Sequence, residues 1–347
     1  MSTQRTSPSR GFTLLELLMS ILVIGMLMGL LITAAVHVRS VARKTADGQA
    51  VLNAAQAASK FRTDFGFAPP LVRDQDTTAG ASRVIVPGSG NTPSRLNVRN
   101  PVIAGDEDFL RGTTQTYNPS NPLLDTRYST VTLAAYLAGG VAAPRGGGPD
   151  VPPGLPIDGV PGPGFYKPRR DGSFDVAADA LKASNAPGAT ARMGRTFEPM
   201  VSLEGSGLKL VTPSNPPANL DGLAELHDRR NKPLRFYAWV PGDANGRITD
   251  NASMNIPAMV GRWQITAQQP DSRAALGQFK LPPSRDVSAN TKLRAARWAV
   301  VGAGLDGLFG DESDLEISQV YGGAANAAAQ LPNRVKAEAD NFVEVGE

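Results

Sequence analysis

A chain of 347 residues has room for about two domains and a sizeable core. Its formal charge is only +3, from 35 Lys plus Arg against 32 Asp plus Glu with no long basic block, so no nucleic-acid partner is expected. It contains no cysteine, which excludes a disulfide framework, thiolate catalysis and Cys-ligated zinc or iron–sulfur sites, while 36 Gly and 28 Pro point to a loop-rich fold.

The first predicted element is a membrane span over residues 14–36. From Leu17 to Val36 no residue is charged and most are apolar. At about 1.5 Å per residue such a helix crosses the ~30 Å hydrocarbon layer. A polar leader, residues 1–11, precedes it, and no small-residue cleavage site follows the span before Arg39, Arg43 and Lys44, so the segment is expected to stay attached. Charge does not orient it, because Arg5, Arg10 and the amino terminus on one side balance three cations on the other. Gly25 and Gly29 have the spacing that lets membrane helices approach closely, or are simply tolerated in an apolar run. Glu16 is the anomaly: an ionised carboxylate at the edge of hydrocarbon costs several kcal/mol or more, so it needs a partner or a purpose.

The run "RGFTLLEL", residues 10–17, resembles the processing signal of type IV pilins and type II secretion pseudopilins: a basic leader, then Gly, an aromatic residue, and Glu fifth in the mature chain. The resemblance implies that a membrane prepilin peptidase cuts between Gly11 and Phe12 and methylates the new amino terminus. It also implies that the amine of one subunit pairs with Glu16 of an adjacent one, setting the register of assembly. Physics supports this independently: an amine created at Phe12 is a cation that compensates a carboxylate when helices pack in a membrane or filament core.

Helical periodicity continues past the span. Val51, Ala54, Ala55, Ala58, Phe61 and Phe65 recur at steps of three and four, with Arg43, Lys44, Asp47, Gln49, Gln56 and Lys60 as solvent positions. One helix is expected over 12–65, stopped by Gly66, Pro69 and Pro70. The phrase "KFRTDFGFAPP" is similar to the close of this helix in pseudopilins, at Asp64, Gly66 and Phe67.

Residues 66–225 read as a loop-rich insertion. Between Gly139 and Pro168, 17 of 30 residues are Gly or Pro, which predicts an exposed loop or linker. A helical turn is expected at Thr130–Leu137, and a hairpin at Met200–Val211 turning on Gly205-Ser206-Gly207. The insertion is a subunit-specific surface or a segment with no particular role.

The C-terminal region, 226–347, reads as a sheet. Strands are expected at Leu234–Val240, Arg262–Thr266 and Arg297–Val301, forming an antiparallel sheet packed against the long helix. "DRRNKPLRFY" resembles a signature of the major pseudopilin at Asp228, Pro233 and Tyr237, with Arg230 and Asn231 where that signature has Trp and Gly. In "GLDGLFGDESDLEIS", Asp306, Asp311, Glu312 and Asp314 lie close together in a Gly-punctuated loop, a composition suited to a hard oxygen-preferring cation. The loop resembles the calcium-binding loop of pseudopilins. That likeness implies Ca2+ as cofactor, Asp306, Asp314 and Asp311 as side-chain ligands, and Leu305 or Ser313 offering carbonyls. The same residues also suit a solvated acidic turn with Asp306-Gly307 closing a hairpin.

No G-x-S-x-G, H-E-x-x-H or P-loop pattern is present, and of two histidines, His37 ends the span while His227 sits in a charged loop; no enzymatic activity is expected. The expected fold class is α+β: a long N-terminal helix, transmembrane in its first half, packed on a small antiparallel sheet head with Gly/Pro-rich insertions. The resemblance implies a structural subunit of a type II secretion pseudopilus or a type IV pilus-like filament, anchored in the inner membrane with its head outside the cytoplasm. Its expected partners are prepilin peptidase, other pilin or pseudopilin subunits, the assembly platform and the membrane. The alternative is a surface-displayed adhesin or DNA-uptake pilin whose insertion binds a ligand.

Overall fold

The computed structural model describes residues 14–75, 84–86, 95–103, 105–112, 125–139, 157–160, 163–175, 195–213, 223–243, 245–249, 253–257, 260 and 291–347. Helix α1 (Leu14–Phe65) opens them, and the chain divides into two compact units, Met1–Thr45 and Ala46–Glu347. The described part of the first unit is helix alone. The fold class is α+β, as the sequence predicts.

In the second unit, α1 presents a face of small residues, Ala50, Val51, Ala54, Ala57 and Ala58, that allows close packing, and ends on the buried Phe61. The Phe61 ring lies 4.7 Å from Phe65, 5.5 Å from Phe67 and 5.8 Å from Tyr136, mostly tilted or edge-on, the geometry aromatic pairs prefer. Gly66 stops the helix as expected: it has φ 78° and donates its N–H to the Arg62 carbonyl at 2.8 Å.

The main sheet has the order β12-β11-β10-β5, from β5 (Tyr128–Ser129), β10 (Arg235–Ala238), β11 (Trp298–Gly302) and β12 (Phe342–Gly346), all antiparallel. Phe236 lies opposite Val300 and Tyr237 opposite Ala299. Period-two alternation sends Phe236, Trp298 and Val300 into the core that contains the α1 alanines. Tyr237, Ala299 and Val301 point into a second core with Trp239, Met254, Ile256, Leu293 and Phe309. Both faces are covered, which is why all five residues of β11 are buried. The expected strands at 234–240 and 297–301 are therefore present, whereas Arg262–Thr266 lies outside the described residues.

Among the described residues there are also four two-stranded ribbons: β1 (Leu71–Val72) with β4 (Val98–Arg99), β2 (Ile85–Val86) with β3 (Arg95–Leu96), β6 (Phe165–Tyr166) with β7 (Thr196–Phe197), and β8 (Lys209–Val211) with β9 (Glu225–His227). Helices α2 (Asp106–Leu110), α3 (Thr291–Ala295), α4 (Asp314–Tyr321) and α5 (Ala327–Asp340) are short to medium. The helical turn expected at 130–137 is present but wider than α, a π turn at Ala134–Ala138 that ends on Gly139.

Several sequence expectations are corrected. The hairpin at 200–211 does not form: β8 pairs with β9, and the Met200 N–H instead donates to Leu137 C=O at 2.7 Å. The Gly/Pro-rich stretch is not exposed at its described end, where Ile157, Asp158, Phe165 and Tyr166 are buried. Phe165 lies 6.2 Å from Phe65 of α1, so its apolar burial outweighs the composition around it. Asp47, read as a solvent position, is buried and 2.8 Å from Arg230. Periodicity identifies a helix face and says nothing about a charged partner brought to it.

Candidate functional site

Residues 14–45 of α1 are exposed along their whole length. Large apolar side chains lie open from Leu14, 83% exposed, to Val41, 50% exposed. No water-soluble surface sustains so long an apolar face, so this helix belongs in lipid or against other helices. By length and composition it is able to cross a membrane. Glu16 lies within its first turn and is the single acid between Leu14 and Ala46. Its carbonyl accepts a hydrogen bond from Ser20 Oγ at 2.7 Å. Gly11 and Phe12 lie outside the described residues. Gly25 and Gly29 have nothing within 4 Å of the positions their Cβ atoms would take, which leaves both open to a close neighbour.

Residues 6–32 match the family described as the prokaryotic N-terminal methylation motif. The N-terminal segment carries a type IV pilin-like signal. The match covers the second half of the leader, Gly11, Phe12, Glu16 and most of the apolar run, and does not extend into the second unit. No curated protein matches the chain, and no solved structure does.

The acidic loop between β11 and α4 is organised by arginines. Asp311 is buried and accepts two hydrogen bonds from Arg235, at 2.5 and 2.9 Å. Its partner guanidinium also lies over the rings of Tyr128, at 4.4 Å, and Phe309, at 3.8 Å. Asp314 pairs with Arg334 at 2.7 Å. Asp306 caps the turn by accepting the Leu308 N–H at 2.9 Å, and its other oxygen takes the Tyr321 hydroxyl at 2.5 Å. The Leu305 carbonyl receives Arg230 Nη1, and Ser313 begins α4 in a capping box with Glu316. Glu312 accepts the N–H groups of Phe309, at 2.6 Å, and Gly310, at 2.8 Å. Burial and the neighbouring Asp311 nonetheless push its carboxyl above the usual range. The loop thus closes without turning its carboxylates toward one point: among the described residues no group of three or more acidic, His or Cys side chains is placed to hold a metal. It leads into a helix, so Asp306-Gly307 closes no hairpin.

Two constellations were not legible in the sequence. First, Arg230 pairs with Asp47 of α1 and donates to the carbonyls of Gly304, at 3.0 Å, and Leu305. The turn that presents it is built by Asp228, whose carboxylate accepts the N–H groups of Arg230 and Lys232 at 2.8 and 2.9 Å. Asn231 there has φ 64°, the left-handed conformation at which the resembling signature carries Gly. Second, His227 is not in a charged loop: it is buried on β9, with Nε2 2.9 Å from Glu225. Thr130 Oγ1 stands 2.7 Å from Glu225 and 3.0 Å from Asp74.

The Thr130 hydroxyl is the donor to both, so its single proton is shared between the two carboxylates, and the Thr130 N–H adds a hydrogen bond to Asp74 Oδ2 at 2.7 Å. Burial raises the Asp74 carboxyl to about 6, against the Thr130 and Val131 hydrogen bonds that lower it. Burial acts in the same upward sense on Glu225, but His227 and Thr130 outweigh it and hold that carboxyl below its usual range. The two carboxyls are therefore shifted in opposite directions, Asp74 upward and Glu225 downward, which favours the charge on the histidine side.

Proposed function

We propose that this protein is a structural subunit of a pilin-like filament, inserted in the inner membrane, cut after Gly11, methylated on Phe12 and polymerised through α1. The observation that carries this reading is the coincidence of the methylation motif over 6–32 with the exposed apolar stretch of α1, residues 14–45, whose one acid is Glu16. In hydrocarbon that acid has to be compensated, and the amine freed at Phe12 of a packed neighbour supplies the opposite charge. The second unit, with its sheet on the Ala-rich part of α1, is the head, carried outside the cytoplasm. Among pilin-like assemblies we favour a type II secretion pseudopilus, supported by the Asp228–Pro233 turn with Asn231 in the left-handed conformation.

The test is Glu16→Gln, compared with wild type for filament recovered by shearing against processed subunit in the membrane. The reading predicts normal processing with at least a tenfold loss of filament. Undiminished filament from the variant contradicts the assembly role of Glu16.

A further inference from the structure

Just beyond the apolar run of α1 stand Arg39, Arg43 and Lys44, all exposed, and no acid occurs in the helix between Glu16 and Asp47. At 100° per residue these three cations fall within about half of the helix circumference. Val38, Val41 and Ala42, also exposed, fall in the other half. If Leu17–Val36 fill the hydrocarbon, the cations sit within about 12 Å of its boundary at 1.5 Å per residue, the depth of lipid phosphates.

We propose that Arg39, Arg43 and Lys44 form a half-collar that binds the headgroups of anionic phospholipids, leaving the Val38–Ala42 side for a neighbouring helix. The inference rests on the membrane anchoring given above and adds the lipid class and the residues that select it. Each such cation near an anionic surface contributes about fivefold, so three contribute on the order of a hundredfold at low salt. The half-collar also deepens the account of processing. Removal of the leader deletes Arg5 and Arg10, so the balance of charge across the span shifts toward the half-collar side.

The experiment reconstitutes the detergent-solubilised full-length chain into a mixed pool of phosphatidylglycerol and phosphatidylcholine nanodiscs, one population carrying an affinity tag, and counts the chain in each. The comparison is wild type against Arg39→Gln/Arg43→Gln/Lys44→Gln, with the melting temperature of the second unit as a control for folding. Wild type is expected to favour anionic discs over the variant by on the order of a hundredfold, the gap closing near ~1 M salt, where the screening length is only about 3 Å. Equal partition of wild type and variant at low salt overturns the half-collar while leaving the anchoring intact. A chain that enters neither disc overturns both.

Discussion

Asp311 shows how single side chains hold the head. Its carboxylate is buried on the Arg235 guanidinium, and removing one partner of such a pair leaves an uncompensated charge in a dry site. Arg235→Met should therefore cost about 3 to 5 kcal/mol, read as a lowered urea midpoint with unchanged slope. The same pair bears on calcium: an ion at Asp311 and Asp314 has to displace Arg235 and Arg334. The expected outcome is one melting temperature in millimolar calcium and in chelator; a rise with calcium would show that the loop opens and takes the metal that the resemblance implies. Asp74 sets a pH dependence. Its folded value of about 6 lies above its ordinary 3.8, so its contribution is fully present below about pH 4 and is lost as pH rises through about 6. Glu225 acts in the opposite sense, its contribution holding above its ordinary 4.5 and fading as pH falls through its lowered value. Between about pH 4 and 6 the Asp74 contribution should fall on alkalinisation, and Asp74→Asn, whose amide oxygen still accepts the Thr130 N–H, should remove it and flatten that part of the profile in thermal melts. An unaltered slope would remove Asp74 from the account.

At the scale of elements, what packs against α1 decides which patterns could be read in advance. The strands at β10 and β11 were legible because Phe236, Tyr237, Trp298, Val300 and Val301 supply alternating aromatic and β-branched residues. Strand β12, "FVEVG", was not anticipated although Val343 and Val345 alternate with Glu344; it lies at the edge of the described sheet, where pairing comes from β11 rather than from its own pattern. Ribbon β8–β9 was missed because turn chemistry at Gly205-Ser206-Gly207 pointed to a local hairpin, while the actual partner lies further along the chain. Close approach fixes the sheet on the helix at one residue: a Cβ on Gly302 would stand 2.5 Å from Val51 Cγ2 of α1. Gly302→Ala should destabilise by about 1 to 3 kcal/mol through overpacking, and adding Val51→Ala should recover part of the loss. A double-mutant cycle by urea unfolding measures this, and strictly additive costs would contradict the contact.

For the whole molecule, the two units were legible to different degrees for a physical reason. The first unit carries its message in local sequence, since leader, Gly11, Phe12, Glu16 and apolar length can be read without knowing any contact. The helix over 14–65 follows from periodicity and from Gly66. The second unit depends on pairings distant in sequence, Asp47 with Arg230, Asp311 with Arg235, and Thr130 with Asp74 and Glu225, and no spacing rule announces them. The acidic loop was recognised as a unit of structure for its composition, yet the arginines that close it come from elsewhere in the chain. What the molecule does rests on the first unit, and the central claim is that this unit is cut and modified. Intact-mass and N-terminal analysis of the membrane-extracted protein, from cells with an active prepilin peptidase, tests it most directly. A mature chain beginning at methylated Phe12 is the predicted result; a chain that still begins at Met1 would contradict the account.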